Sequence, residues 1–96
     1  MADLRLTVLD PSGLHGRPAA RFVQIASRFQ TPVTLSVGGR TANAKSMIAL
    51  LGLAIRPQSE ITLSADGPDA DAALAALRAE LGDAVRPVTN GSDPQS

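Results

Sequence analysis

The sequence predicts an α+β fold: an open-faced two-layer sandwich in which a four-stranded, mainly antiparallel sheet carries three helices on one face. Three observations predict it. The strand-like stretches alternate apolar with polar residues, so each has one buried and one wet face, as in a sheet covered on one side. Helical periods interrupt them in the order β-α-β-β-α-β-α. Gly38-Gly39 separates two of the strands and is a two-residue hairpin signal.

In chain order, Leu4, Leu6 and Val8 share one face of a first strand, which Asp10-Pro11-Ser12-Gly13 breaks. From about Gly16 to Phe29 the period becomes helical, with Ala19, Phe22, Val23, Ala26 and Phe29 inward and Pro18 in the first turn, where its missing N–H does no harm. Val33, Leu35 and Val37 mark the second strand, and Arg40 to Ala44 a short third, antiparallel to it. The apolar run Met47 to Leu53 fits strand or helix. Ser46 is a preferred N-cap and Met, Ala and Leu favour helices, so a short helix is expected. Glu60 to Ala65 alternates as the fourth strand. Asp66-Gly67-Pro68-Asp69 starts a last helix lined by Ala70, Ala73, Leu74, Leu77 and Leu81, and Gly82 ends it. Residues 1–85 form one domain, and the polar stretch 86–96 is expected to be a flexible C-terminal tail.

The chain has 96 residues, of which 44% are hydrophobic and 19% charged, enough for one core and one domain. Its formal net charge is zero and it has two phenylalanines and no other aromatic residue, which argues against nucleic-acid binding. No apolar run approaches the roughly 18 residues of a membrane span, and Met1 to Arg5 does not read as a signal peptide. A cytoplasmic location is expected. There is no cysteine and one histidine, so a zinc site is improbable and no cofactor or metal is expected.

The chemistry gathers around that histidine. Ser12-Gly13-Leu14-His15-Gly16-Arg17-Pro18 puts an imidazole at or next to a helix N-cap. Unpaired N–H groups and the helix dipole favour a phosphate there. Gly13 and Gly16 leave the ring approachable, and Arg17 is a planar cation suited to a phosphoryl group. A free imidazole, with a pKa of about 6.5, is partly neutral, hence nucleophilic, at neutral pH, and nearby positive charge disfavours the imidazolium. The arrangement suits phosphoryl transfer. Met47, Ile48, Leu50, Leu51 and Leu53 are too many to bury on so short a helix. Leu50 and Leu53 are expected in the core, and Met47, Ile48 and Leu51 in an exposed docking patch, ringed by Arg21, Arg28, Lys45 and Arg56.

Gly13-Leu14-His15-Gly16-Arg17-Pro18-Ala19-Ala20 resembles the active-site signature of HPr, the histidine-containing phosphocarrier of the bacterial phosphoenolpyruvate-dependent sugar phosphotransferase system. Asn43-Ala44-Lys45-Ser46-Met47-Ile48-Ala49-Leu50 resembles the family's regulatory-serine segment, at matching spacing, and the likeness covers roughly residues 3 to 84. The resemblance implies that His15 accepts a phosphoryl group on Nδ1 from phospho-Enzyme I and passes it to Enzyme IIA, with Arg17 assisting. It further implies that Ser46, an N-cap in any case, is a phosphorylation site for HPr kinase/phosphorylase. Such a carrier is a monomer, and any Mg²⁺ belongs to a partner. It turns over no small substrate alone. Three departures stand out: Gly16 replaces the commoner alanine or threonine, Pro57-Gln58 stands where small residues or glycine are usual, and the stretch beyond Gly82 is longer and more polar than usual. The alternatives are a nitrogen-branch HPr-like regulator with the same chemistry, a regulatory module that binds without carrying phosphate, and an independent hydrolase. The last is disfavoured by the lack of a second histidine or a cysteine.

Overall fold

The computed structural model of the chain describes residues 2–9 and 16–88. Its elements are β1 (Ala2–Val8), α1 (Gly16–Ala26), β2 (Val33–Val37), β3 (Arg40–Asn43), α2 (Met47–Gly52), β4 (Glu60–Ala65), α3 (Ala70–Leu81), a 3-10 turn at Gly82–Ala84 and β5 (Val85–Pro87).

The sheet order is β3-β2-β4-β1-β5, and every pairing is antiparallel. β1 and β2 therefore run parallel to each other with β4 between them, joined by α1. β3 and β4 flank β2 in the same way, joined by α2. The alternation seen in the sequence decides which face is covered. Leu6 and Val8, Val33 and Leu35, and Ile61, Leu63 and Ala65 are all buried. They meet Ala19, Phe22, Ile25 and Ala26 of α1, Leu50 of α2, and Ala73, Leu74 and Leu77 of α3 in one core. Leu50 and Leu53 are in it, as expected. The hairpin between β2 and β3 turns on Gly38 and Gly39, with φ of +57° and +81°, the left-handed values a two-residue turn of this kind requires.

Two boundaries differ from expectation. α1 ends at Ala26, three residues short of Phe29, and Ile25 takes a core position. The sheet also has a fifth strand. Arg86 and Pro87, expected in the tail, pair with Thr7 and Leu6 of β1, and Val88 N–H donates to Arg5 C=O at 3.0 Å. The strand is three residues long and contains proline, which is compatible only with a sheet edge, so alternation could not reveal it. The rest of the expected tail, 89–96, lies outside the described residues.

Candidate functional site

The segment that carries His15 leaves the sheet at the end of β1 and returns at Gly16, the first residue of α1. His15 itself lies outside the described residues. At the β1 end, Val8 N–H donates to Ser59 C=O (2.9 Å), Gln58 N–H donates to Val8 C=O (2.7 Å), and Leu9 N–H donates to Ala84 C=O (2.6 Å). At the α1 end, Arg17 is the second helical residue, its side chain outside the described set, and the first turn carries no acidic residue to oppose an anion.

α2 is the second part of the site. Ser46 is its N-cap: extended backbone turns the side chain so that Oγ accepts from Ala49 N–H at 3.2 Å. Leu50 points into the core, which leaves the other flank outside. Ile48 is 86% exposed and Leu51 41% exposed, while Met47 is half-buried against the core. Of the three residues expected in the patch, Ile48 and Leu51 are open to solvent and Met47 forms its inner margin. Lys45 Nζ donates to Phe29 C=O at 2.6 Å and so ties the start of α2 to the turn that ends α1. Ser46 therefore stands by the far end of α1, a helix about 16 Å long, rather than beside Gly16. The other end of α2 leads through Leu53, Ala54 and Ile55 to the Arg56–Ser59 turn, and so to Val8.

The expected ring of cations is largely engaged. Arg21 grips Glu80 of α3 with two nitrogens, at 2.6 and 3.3 Å. Hydrogen bonding from Arg21 holds the Glu80 carboxyl below its ordinary pKa; burial opposes this, and the charges of Arg21 and Arg28 reinforce it. The same bond raises the Arg21 value. Sequence reasoning missed Arg40. It reaches from the β2–β3 hairpin to α2 and donates from Nη2 to Leu53 C=O at 2.6 Å. Nothing local in the sequence signals that contact. Among the described residues, no group of three His, Cys, Asp or Glu side chains could hold a metal, and no helix is long and apolar enough to cross a membrane.

In sequence, His15 directly precedes the first residue of α1 and Arg17 follows it, while α2 shows solvent an apolar flank. Residues 3–83 match the family model for the PTS HPr component phosphorylation site, and the chain belongs to that family. It is 38% identical to the phosphocarrier protein HPr of Lysinibacillus sphaericus, over 85% of this chain and 97% of the relative. It is 41% identical to the HPr-like protein Crh of Bacillus subtilis, over 88% of this chain and all of the relative. A multiphosphoryl transfer protein of Xanthomonas campestris is 45% identical over 78% of this chain; the match spans 9% of that protein's length. Among solved structures, a Mycoplasma histidine-containing phosphocarrier protein superposes with a TM-score of 0.83 at 35% identity, covering 85% of this chain and 93% of the other.

Proposed function

We propose that the chain is a cytoplasmic, monomeric phosphocarrier of the phosphotransferase system. His15 Nδ1 attacks the phosphoryl group on Enzyme I in line; a P–N bond forms on His15 as the P–N bond to the donor histidine breaks. The second step reverses these roles, with His15 as leaving group and an Enzyme IIA histidine as acceptor. Arg17 and the first-turn amides of α1 stabilise the phosphoryl charge, so positioning and electrostatics supply the catalysis. Met47, Ile48 and Leu51 form the surface on which partners dock. Phosphorylation of Ser46 by an HPr kinase/phosphorylase regulates that docking, by adding charge beside an apolar surface.

The observation that carries this reading is that α1 begins at Gly16, the residue directly after His15. Incubation with Enzyme I and labelled phosphoenolpyruvate tests it. Acid-labile label, lost on His15→Ala, is expected; an unlabelled wild-type chain would sink the reading.

A second reading is favoured by the likeness to Crh along that relative's whole length, together with the capping position of Ser46. Here the chain regulates through Ser46 and carries no phosphate on His15. Acid-stable phosphate at Ser46 with no labelling of His15 would select it.

A further inference from the structure

Between α2 and β4 the chain adopts a conformation that its residues do not favour. Ala54 and Gln58 have φ of +51° and +71°, and they are the non-glycine residues with positive φ among those described. Left-handed backbone of this kind persists in side-chain-bearing residues only where the surroundings over-determine it, and it clusters at functional sites. Here the surroundings are specific. Ile55 is buried as a plug, 1% exposed. Arg56 N–H donates to Ser59 Oγ at 3.3 Å, and Ser59 N–H donates to Arg56 C=O at 3.2 Å. Gln58 and Ser59 are in turn bonded to Val8, the last residue of β1. The exposed residue held between the two left-handed positions is Arg56, together with Pro57.

Arg56 also differs from the neighbouring cations. Arg21 grips Glu80, Lys45 is spent on Phe29 C=O and Arg40 on Leu53 C=O, and Arg28 acts on the same Glu80 carboxylate as Arg21. Among the described residues no carboxylate pairs with Arg56. Its turn lies along the chain and in space between the exposed flank of α2 and the end of β1. A protein that rests on Ile48 and Leu51 and extends toward the end of β1, the strand that precedes the histidine segment, passes over it.

We propose that Arg56 is a specificity-determining residue of the docking surface and pairs with a carboxylate on the partner protein. The proposal rests on the phosphocarrier reading above. The turn fixes the backbone from which the guanidinium projects, so only the side chain is left to order on pairing, and the rim charge adds to the rate of encounter.

The experiment is steady-state phosphoryl transfer from Enzyme I and phosphoenolpyruvate to the full chain, at low and high salt. Arg56→Glu is expected to raise KM by about tenfold with kcat unchanged, and the difference should shrink at high ionic strength. Arg56→Lys should keep most of the wild-type KM, and the thermal midpoint of each variant should match the wild type. An unchanged KM in Arg56→Glu overturns the proposal. So does faster hydrolysis of phosphohistidine in Arg56→Gln with KM intact, which would assign the guanidinium to the phosphoryl group. A wild-type chain that takes no label removes the phosphocarrier reading and this one with it; labelling with an unchanged KM removes this one alone.

Discussion

The Thr31 hydroxyl accepts the Asp69 backbone N–H at 3.3 Å, and it does so 38 residues away in sequence, from the turn after α1 to the first turn of α3. Thr31 is 3% exposed, and Asp69, the N-cap residue of α3, makes no side-chain cap of its own. The contact is possible because Gly67 has no side chain. A Cβ there would stand 2.8 Å from Thr31 Oγ1 and 3.2 Å from its methyl group.

Gly67→Ala should therefore destabilise the fold by about 1–3 kcal/mol through overpacking against a buried side chain. Thr31→Ala should cost about 1 kcal/mol through the lost cap. The double variant should lose less than the sum, because removing the hydroxyl and methyl makes room for the new Cβ. Urea unfolding of the four proteins measures the coupling, and strict additivity would show that the two sites do not touch.

Replacing Ala54 or Gln58 by glycine should stabilise the protein by about 0.5–1 kcal/mol each, since glycine adopts positive φ without steric penalty. Ala54 follows the C-cap of α2, where glycine is the usual helix terminator. A fall in the thermal midpoint of both variants would contradict the left-handed assignment.

Arg40→Met should remove about 1 kcal/mol by leaving Leu53 C=O without its charged donor. The loss should be local. Amide exchange at Leu53 and Ala54, which close the last turn of α2 onto Leu50 and Leu51, should accelerate more than exchange in β4. Equal acceleration throughout would mean that Arg40 acts on global stability alone.

The Arg21–Glu80 pair gives a pH signature. The folded-state pKa of Glu80 is depressed, so its contribution to stability is present above the ordinary carboxylate value of 4.5 and is lost as pH falls through the folded-state value. The stability difference between wild type and Glu80→Gln should be full at pH 6 and shrink on acidification through about pH 4. The pair is exposed enough that added salt should weaken it as well.

Ile48→Ser should leave stability within about 0.5 kcal/mol of wild type, because the residue is 86% exposed already. If α2 is the docking surface, the same variant should raise KM for transfer from Enzyme I. Unchanged transfer kinetics would assign docking elsewhere.

What the sequence showed and what it hid follow a physical rule. Leu6, Leu35 and Leu63 announced their strands by period, and Gly38-Gly39 announced its hairpin, because each signal lies within a few residues. Leu50 against Ile48 was legible for the same reason: one turn of helix separates inside from outside. Arg40 on Leu53, Thr31 on Asp69 and Val85 beside Val8 join distant segments, and no local pattern encodes them. His15 and Arg17 were legible only as a motif, since the spacing of glycine, histidine and arginine speaks of chemistry before it speaks of packing.

The position of β1 has a consequence for synthesis of the chain. This first strand has β4 on one side and β5 on the other, so neither neighbour exists until residues 60–65 and 85–87 have been made. The strand that leads to the histidine segment is made before either of its neighbours and has a ladder on both sides only once residue 87 has followed it. Assembly of the end of β1 that leads to His15 is thereby tied to completion of the sheet. A chain cut short before Val85 would keep His15 in its sequence but leave one edge of β1 bare, open to strand exchange with another copy.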